Sequence, residues 1–137
     1  CRLPVQGRCR RRRRSAHRGR RHALHHAGLC CGEPNILGWD ILRNHTTAFV
    51  SCPDWVTARG MRTLGAPEKG DPRVISGESG AVTTGLVETL MLDPEYAELK
   101  ELIGLDKTSS VLCFSTEGDT DPDQYRRIVW EGEYPTC

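Results

Sequence analysis

Two short apolar segments, separated by amphipathic stretches, constrain the fold of this chain more than any other feature. Segment 110–115 (SVLCFS) is apolar without alternation, and 73–76 (RVIS) is a shorter run of the same kind. Unbroken apolar runs of this length are typical of strands buried on both faces, as in parallel sheets. Helices alternating with such strands indicate an α/β domain. Two strands are too few for a parallel sheet, so the chain is predicted to be the C-terminal part of a larger domain.

Helix start signals divide the rest of the organised region. Asp93-Pro94 and Asp121-Pro122 each combine an N-cap with proline at the first helical position. Ser79 is predicted to cap the third helix. The predicted helices cover 35–49, 53–65, 79–91, 93–104 and 121–132. The inward face of the third is predicted to carry Val82, Leu86, Leu90 and Met91.

Charge divides the chain into two unlike pieces. Residues 1–26 hold ten arginines, four histidines and no acidic residue, a composition that predicts disorder. Residues 27–137 hold nine Lys/Arg and eighteen Asp/Glu, as in an ordinary acidic globular protein.

Two interpretations of the basic segment stay open. Residues 2–21 can serve as an arm that neutralises nucleic-acid phosphates, and salt-dependent binding lost on deleting 1–26 would support that hypothesis. Alternatively, GC-rich DNA translated out of frame yields such arginine-rich sequence. The second interpretation is preferred, so nucleic acid is not an expected partner.

Cysteine usage and hydropathy indicate a cytoplasmic protein. The seven cysteines are scattered, odd in number and not preceded by a signal peptide, which favours reduced thiols. Cys31 and Cys52 flank the first helix, and buried free thiols are expected there rather than a redox-sensitive pair. No apolar run approaches the ~20 residues that cross a bilayer, which excludes a membrane role.

The polar stretch that follows segment 110–115 is the first candidate site. Ser115 and Thr116 lie at a strand's carboxyl end, where parallel α/β sheets bind ligands. Three alternating aspartates follow and resemble half of a calcium loop: Asp119, Asp121 and Asp123. The sixth and twelfth positions, however, are Gln124 and Trp130 instead of glycine and glutamate, so no metal is expected.

A second polar cluster follows segment 73–76. In SGESGAV (76–82), Gly77 and Gly80 permit tight turns and close backbone approach. The order G-E-S-G-A nearly matches the hydrolase elbow G-x-S-x-G, but Ala81 replaces the last glycine. The organised region has a single histidine, His45, as a possible base, so a serine hydrolase is not favoured.

Three motifs in order, GLCCGEPNILGWDILRN, ISGESGAVTTGL and STEGDTDP, together resemble the C-terminal third of diaminopropionate ammonia-lyase. The resemblance covers about 27–137. It implies a pyridoxal 5'-phosphate (PLP) enzyme of fold type II, with a parallel sheet flanked by helices. The implied reaction is α,β-elimination of 2,3-diaminopropionate to pyruvate and ammonia. A serine/threonine dehydratase shares this fold and cofactor and is the alternative enzyme.

The resemblance also implies roles for individual residues. Ser115 is expected to bond the pyridine nitrogen of PLP, with Thr116 as the neighbouring candidate. Glu78 and Gly77 are expected beside the cofactor ring, and Gly28 is expected to contribute backbone there. No catalytic residue is expected in this chain, since the family's imine-forming lysine and phosphate-binding glycine-rich loop precede the matched region. A small amino-acid substrate and a homodimer are implied as partners.

Overall fold

The computed structural model describes residues 5–6 and 35–135. In order, its elements are β1 (Val5–Gln6), α1 (Ile36–His45), β2 (Phe49–Val50), α2 (Asp54–Gly65), α3 (Glu78–Leu92), a 3-10 turn (Pro94–Tyr96), α4 (Ala97–Leu102) and α5 (Pro122–Val129). Strands β1 and β2 pair antiparallel, with Val5 opposite Val50. Five helices therefore dominate the part of the chain that is described.

Helix starts follow local capping chemistry in two places and depart from it in a third. The Asp121 side chain accepts from the backbone N–H of Gln124 at 3.0 Å, which confirms the predicted cap of α5. Asn35 caps α1 by accepting from two backbone N–H groups. The prediction for α3 is wrong, because Gly77 is its N-cap and Ser79 lies inside the first turn. A carboxylate from outside the helix accepts from a free backbone N–H of that first turn, as described below.

Helices α2 and α3 pack closely because each contributes a glycine where they cross. A Cβ on Gly60 would lie 2.6 Å from the backbone nitrogen of Gly85, and a Cβ on Gly85 would lie 2.9 Å from that of Gly60. The buried face of α3 is correspondingly small: Gly80, Ala81, Gly85, Thr89 and Leu90. Of the predicted apolar face, only Leu90 is buried, while Val82, Leu86 and Met91 are half-buried. The face of α3 that is buried is therefore the one whose small residues let its backbone approach that of α2, and not the one with the largest apolar side chains.

An arginine of α2 also joins the two helices. The guanidinium of Arg59 donates to Glu88 at 3.1 Å and to the Thr89 hydroxyl at 3.2 Å, both on α3. It also pairs with Asp93, the residue that ends α3. Four side chains thus fix the register of α2 against α3.

The core of the described residues lies on both sides of this helix pair. One cluster joins α2 and α3 to the 3-10 turn and α4: Trp55, Val56, Leu90, Tyr96 and Leu99. The other joins the same helices to α5: Ala58, Met61, Ala81, Tyr125 and Ile128. Helix α1 contributes no buried residue.

The predicted parallel sheet is not seen among the described residues. Segments 73–76 and 110–115 have no strand pairing there, and the β1–β2 pair is the sheet that is present. Their apolar side chains are exposed, Leu112 at 78% and Phe114 at 69%. A strand requires N–H and C=O partners on a neighbouring strand. Among the described residues, the Val74 N–H donates to the carbonyl of Leu64, which lies in α2 and not on a strand, at 2.9 Å.

Within residues 5–6 and 35–135, no helix has both the length and the apolar character needed to cross a membrane.

Candidate functional site

The loops that precede α3 and α5 meet through two serine hydroxyls. Ser76, the last residue of segment 73–76, and Ser115, the last residue of segment 110–115, have their Oγ atoms 2.8 Å apart. Ser76 is fully buried, whereas Ser115 is exposed. The site therefore joins the hydroxyl of an exposed residue to that of a fully buried one.

The backbone of Glu117 joins the same two loops. Its carbonyl accepts from the N–H of Gly77 at 3.0 Å and lies 3.4 Å from the Ser115 hydroxyl. Because Gly77 begins α3, the loop carrying Ser115 is attached to the start of that helix.

The side chain of Glu117 caps α3 from 38 residues away. Its carboxylate accepts from the backbone N–H of Ser79 at 3.1 Å and from the Thr120 hydroxyl at 3.3 Å. Hydrogen bonds from Ser79, through its side chain and its backbone, hold the pKa of Glu117 below its usual range. A negative charge here also complements the positive end of the helix dipole. This helix end is therefore occupied by the protein's own carboxylate and is not an open anion site.

Two glycines allow the loops to approach this closely. A Cβ on Gly80 would lie 2.5 Å from Ser76 Oγ and 2.9 Å from Ser115 Oγ. A Cβ on Gly77 would lie 2.5 Å from the carbonyl oxygen of Gly118. Gly77 has φ −73°, which any residue adopts, so space rather than backbone conformation requires glycine there.

The sequence-predicted residues fall into three groups. Ser115 and Gly77 are brought together at the junction of the two loops. Thr116 is exposed beside them, and Glu78 is the half-buried first residue of α3. Gly28 lies outside the described residues.

Two residues of the junction had no role in the sequence analysis. The sequence predicts Ser76 only as the last residue of a strand, and it assigns no role to Glu117. Their partners are 39 and 38 positions away, so no local pattern pairs them. The sequence feature that could have identified both residues is that each is a polar residue at or next to the end of a predicted strand.

Two other predicted features are apart from this junction. Cys52 is a free, half-buried thiol, and burial raises its pKa to about 11, while Cys31 lies outside the described residues. Residues 35–135 contain no cluster of three His, Cys, Asp or Glu side chains arranged to hold a metal.

Comparison with known proteins identifies relatives for most of the chain. It is 56% identical over 108 residues to the diaminopropionate ammonia-lyase of Escherichia coli (strain K12), and 50% identical over 107 residues to that of Salmonella typhimurium. These matches cover 79% and 77% of this chain, but only 27% and 26% of the relatives. No family model matches the chain.

Solved structures agree with the sequence relatives. The crystal structure of the E. coli enzyme in complex with D-serine superposes with a TM-score of 0.76 at 54% identity, covering 80% of this chain and 28% of that one. The E. coli enzyme in complex with an aminoacrylate-PLP azomethine reaction intermediate also gives 0.76, covering 80% and 29%.

The described residues therefore have the fold of a segment of an ammonia-lyase. By sequence and structure, this chain is related to the diaminopropionate ammonia-lyases, which confirms the resemblance carried by its three motifs. It spans about a quarter of the length of the relatives it matches.

Proposed function

We propose that this chain is part of a PLP-dependent ammonia-lyase that converts 2,3-diaminopropionate to pyruvate and ammonia by α,β-elimination. The observation that carries the proposal is its 54% identity and TM-score of 0.76 to the E. coli enzyme in complex with an aminoacrylate-PLP species. A likeness of that strength over 80% of the chain supports a common cofactor as well as a common fold.

The residues at the loop junction fit one edge of the PLP ring. A pyridine nitrogen needs a single hydrogen-bond partner, and the exposed Ser115 hydroxyl can donate to it without adding a charge. The nearest carboxylate along the loop, Glu117, is engaged with Ser79 and Thr120 instead. A neutral partner leaves the ring nitrogen largely unprotonated.

When bound, PLP supplies an electron sink for the substrate α-carbon. The part assigned to this chain is to hold the ring in place and to set the charge of its nitrogen. With the nitrogen unprotonated, that sink is weaker, which favours prompt loss of the β-amino group. Thr116, Glu78, Gly77 and Gly28 are proposed as further cofactor contacts around the ring.

The imine-forming lysine is proposed to come from another part of the whole enzyme. The three lysines here are Lys69 in a turn, Lys100 on α4 and Lys107 in a loop before segment 110–115. None adjoins Ser76 or Ser115 in sequence, and each suits a solvated surface role. The whole enzyme is further proposed to be a cytoplasmic homodimer that acts on a small amino acid.

A chimera tests this function directly. Residues 35–135 of this chain would replace the matching segment of the E. coli enzyme. Release of ammonia and of the 2-oxo acid would be measured, which is pyruvate from diaminopropionate or serine and 2-oxobutanoate from threonine. Pyruvate formation from diaminopropionate, in preference to the hydroxy amino acids, is expected. A folded chimera that binds PLP but prefers serine or threonine would instead favour the dehydratase alternative.

Two alanine substitutions in the chimera test the proposed contact. Ser115→Ala is expected to weaken PLP binding by about tenfold or more, because the ring nitrogen loses its hydrogen-bond donor. Ser51→Ala is the matched control, since Ser51 is exposed and distant in sequence from both loops. Equal PLP affinity in the two variants would contradict the assignment of Ser115.

A further inference from the structure

We propose that Ser76 is a positioning residue, which directs the proton of the Ser115 hydroxyl toward the cofactor ring nitrogen. This inference rests on the proposed function and adds to it a residue that touches neither cofactor nor substrate. Its basis is the 2.8 Å contact between the hydroxyl of the fully buried Ser76 and that of Ser115, an exposed residue.

The position of the Ser76 hydroxyl is closely confined. Ser76 is 0% exposed, and its Oγ lies where a Cβ on Gly80 would come within 2.5 Å. That same Cβ would come within 2.9 Å of Ser115 Oγ. Glycine at position 80 thus makes room for the pair, and any larger residue would displace one of the two hydroxyls.

Proton accounting decides which serine donates. Each hydroxyl has a single proton to donate and can accept as well. If Ser115 gives its proton to the ring nitrogen, it has none for Ser76, so Ser76 must donate to Ser115. A chain of this kind also polarises the outer hydroxyl and makes it a better donor.

The geometry also allows the opposite hydrogen-bond direction, in which Ser115 donates to Ser76, but that arrangement is the weaker one. Ser76 Oγ also lies 3.3 Å from the carbonyl oxygen of Gly77, to which it could donate while accepting from Ser115. Hydroxyl hydrogen bonds are usually 2.7–2.8 Å long, so the contact with Ser115 is the better one. In the reversed arrangement, Ser115 would offer a lone pair outward and would favour a protonated ring nitrogen.

The direction of the Ser76 proton therefore sets the protonation state that the ring nitrogen prefers. With Ser76 donating, the Ser115 proton can go to the ring nitrogen or to the Glu117 carbonyl. The carbonyl lies 3.4 Å away, a long and weak contact, so an unprotonated ring nitrogen that accepts this proton is favoured. Without Ser76, the Ser115 hydroxyl can rotate and accept from a protonated nitrogen. A residue that only fills space would not produce this dependence on pH.

The test uses Ser76→Ala in the chimera, with Ser51→Ala as control and Ser115→Ala as reference. Apo protein is titrated with PLP, and the visible spectrum of the bound cofactor is recorded against pH. Ser76→Ala is expected to raise the Kd for PLP by about 3- to 10-fold. It should also move the pH-dependent spectral change toward higher pH and lower kcat with little change in KM.

Ser76→Cys covers the case in which the alanine variant does not fold. Cysteine has a similar shape but is a weak donor. It is expected to lie between wild type and alanine in both Kd and the spectral pH profile.

The outcomes separate this inference from the proposed function. One outcome is that Ser115→Ala weakens PLP binding while both Ser76 variants keep the wild-type pH profile. In that case Ser76 has only a packing role, and this inference is wrong while the proposed function stands. If Ser115→Ala matches Ser51→Ala, the assignment of Ser115 to the ring fails, and the role of Ser76 fails with it.

Discussion

At the scale of single residues, Glu117 holds the candidate site together. Its carbonyl binds the N–H of Gly77 and its carboxylate binds that of Ser79, so one residue attaches the Ser115 loop to the start of α3. Gly77 has no side chain with which to cap the helix. The carboxylate supplies that cap, which normally comes from the residue that precedes a helix.

Stability should depend on the charge of Glu117. Its pKa is lower in the folded state than the ordinary 4.5, so its carboxylate stabilises the fold above about pH 4.5. That contribution is lost as the pH falls through the folded pKa. Glu117→Gln in the apo chimera should therefore lower Tm above this pH, and the difference from wild type should shrink in more acidic buffer.

Glu68→Gln is the control for this titration, because Glu68 is exposed and lies between helices. Its Tm should follow that of wild type at every pH. A Glu117→Gln difference that stays constant from neutral to acidic pH would contradict a role for the charge.

At the scale of elements, the contact between α2 and α3 is set by Gly60 and Gly85. The carbonyl oxygen of Val56 lies where the Cβ of an alanine at position 85 would be placed. Backbone atoms cannot move aside as a flexible side chain does. The two helices must therefore separate or shift to admit any side chain.

Gly85→Ala should destabilise the chimera by about 1–3 kcal/mol, because a methyl group is forced between two packed helices. Gly38→Ala in α1 is the matched control, since the nearest atom to its added Cβ is 3.8 Å away. Alanine there should be stabilising by about 0.5–1 kcal/mol through its better helix propensity. Thermal or urea unfolding measures both, and a neutral Gly85→Ala would show that the helices are not in contact.

At the scale of the whole molecule, the segments leading to the site are apolar and uncovered. Val111, Leu112 and Phe114 are exposed by 49%, 78% and 69%, and Ile75 by 44%. Apolar patches of this kind mark surfaces that another part of a protein covers. Since the chain spans 28% of a solved relative, the remainder of such an enzyme could cover them.

The 137-residue chain by itself should accordingly bind a hydrophobic dye and self-associate, whereas the chimera should not. Leu112→Lys should reduce dye binding by the isolated chain, yet it should destabilise the chimera, where the charge would be buried. Glu68→Lys should do neither. An isolated chain that stays monodisperse without binding dye would contradict the proposed cover.

Features that depend on near neighbours in the chain were predictable from sequence. The N-cap at Asp121 and the proline after it were correctly located, and α2, α3 and α5 lie within a few residues of their predicted bounds. Ser115 and Gly77 were also identified as candidate site residues, because strand ends with hydroxyls and glycines have a local signature. Their assigned roles at the cofactor remain predictions.

Features that depend on distant partners could not be read from the chain. The prediction of which face of α3 is buried was wrong. A stripe of bulky apolar side chains is buried only where the opposing helix leaves room for it. The predicted parallel sheet is absent from the described residues, because segments 73–76 and 110–115 need neighbouring strands that these residues do not provide.

The sequence by itself determined where the helices begin to within a few residues, which polar residues follow the apolar segments, and which enzymes this chain resembles. These depend on side-chain chemistry within a few positions, or on order along the chain. Only the tertiary structure decided that Ser76 lies behind Ser115 and that Glu117 caps α3. The physical reason is that hydrogen bonds between residues almost 40 positions apart depend on the packing of α5 against α2 and α3, which brings the two loops together.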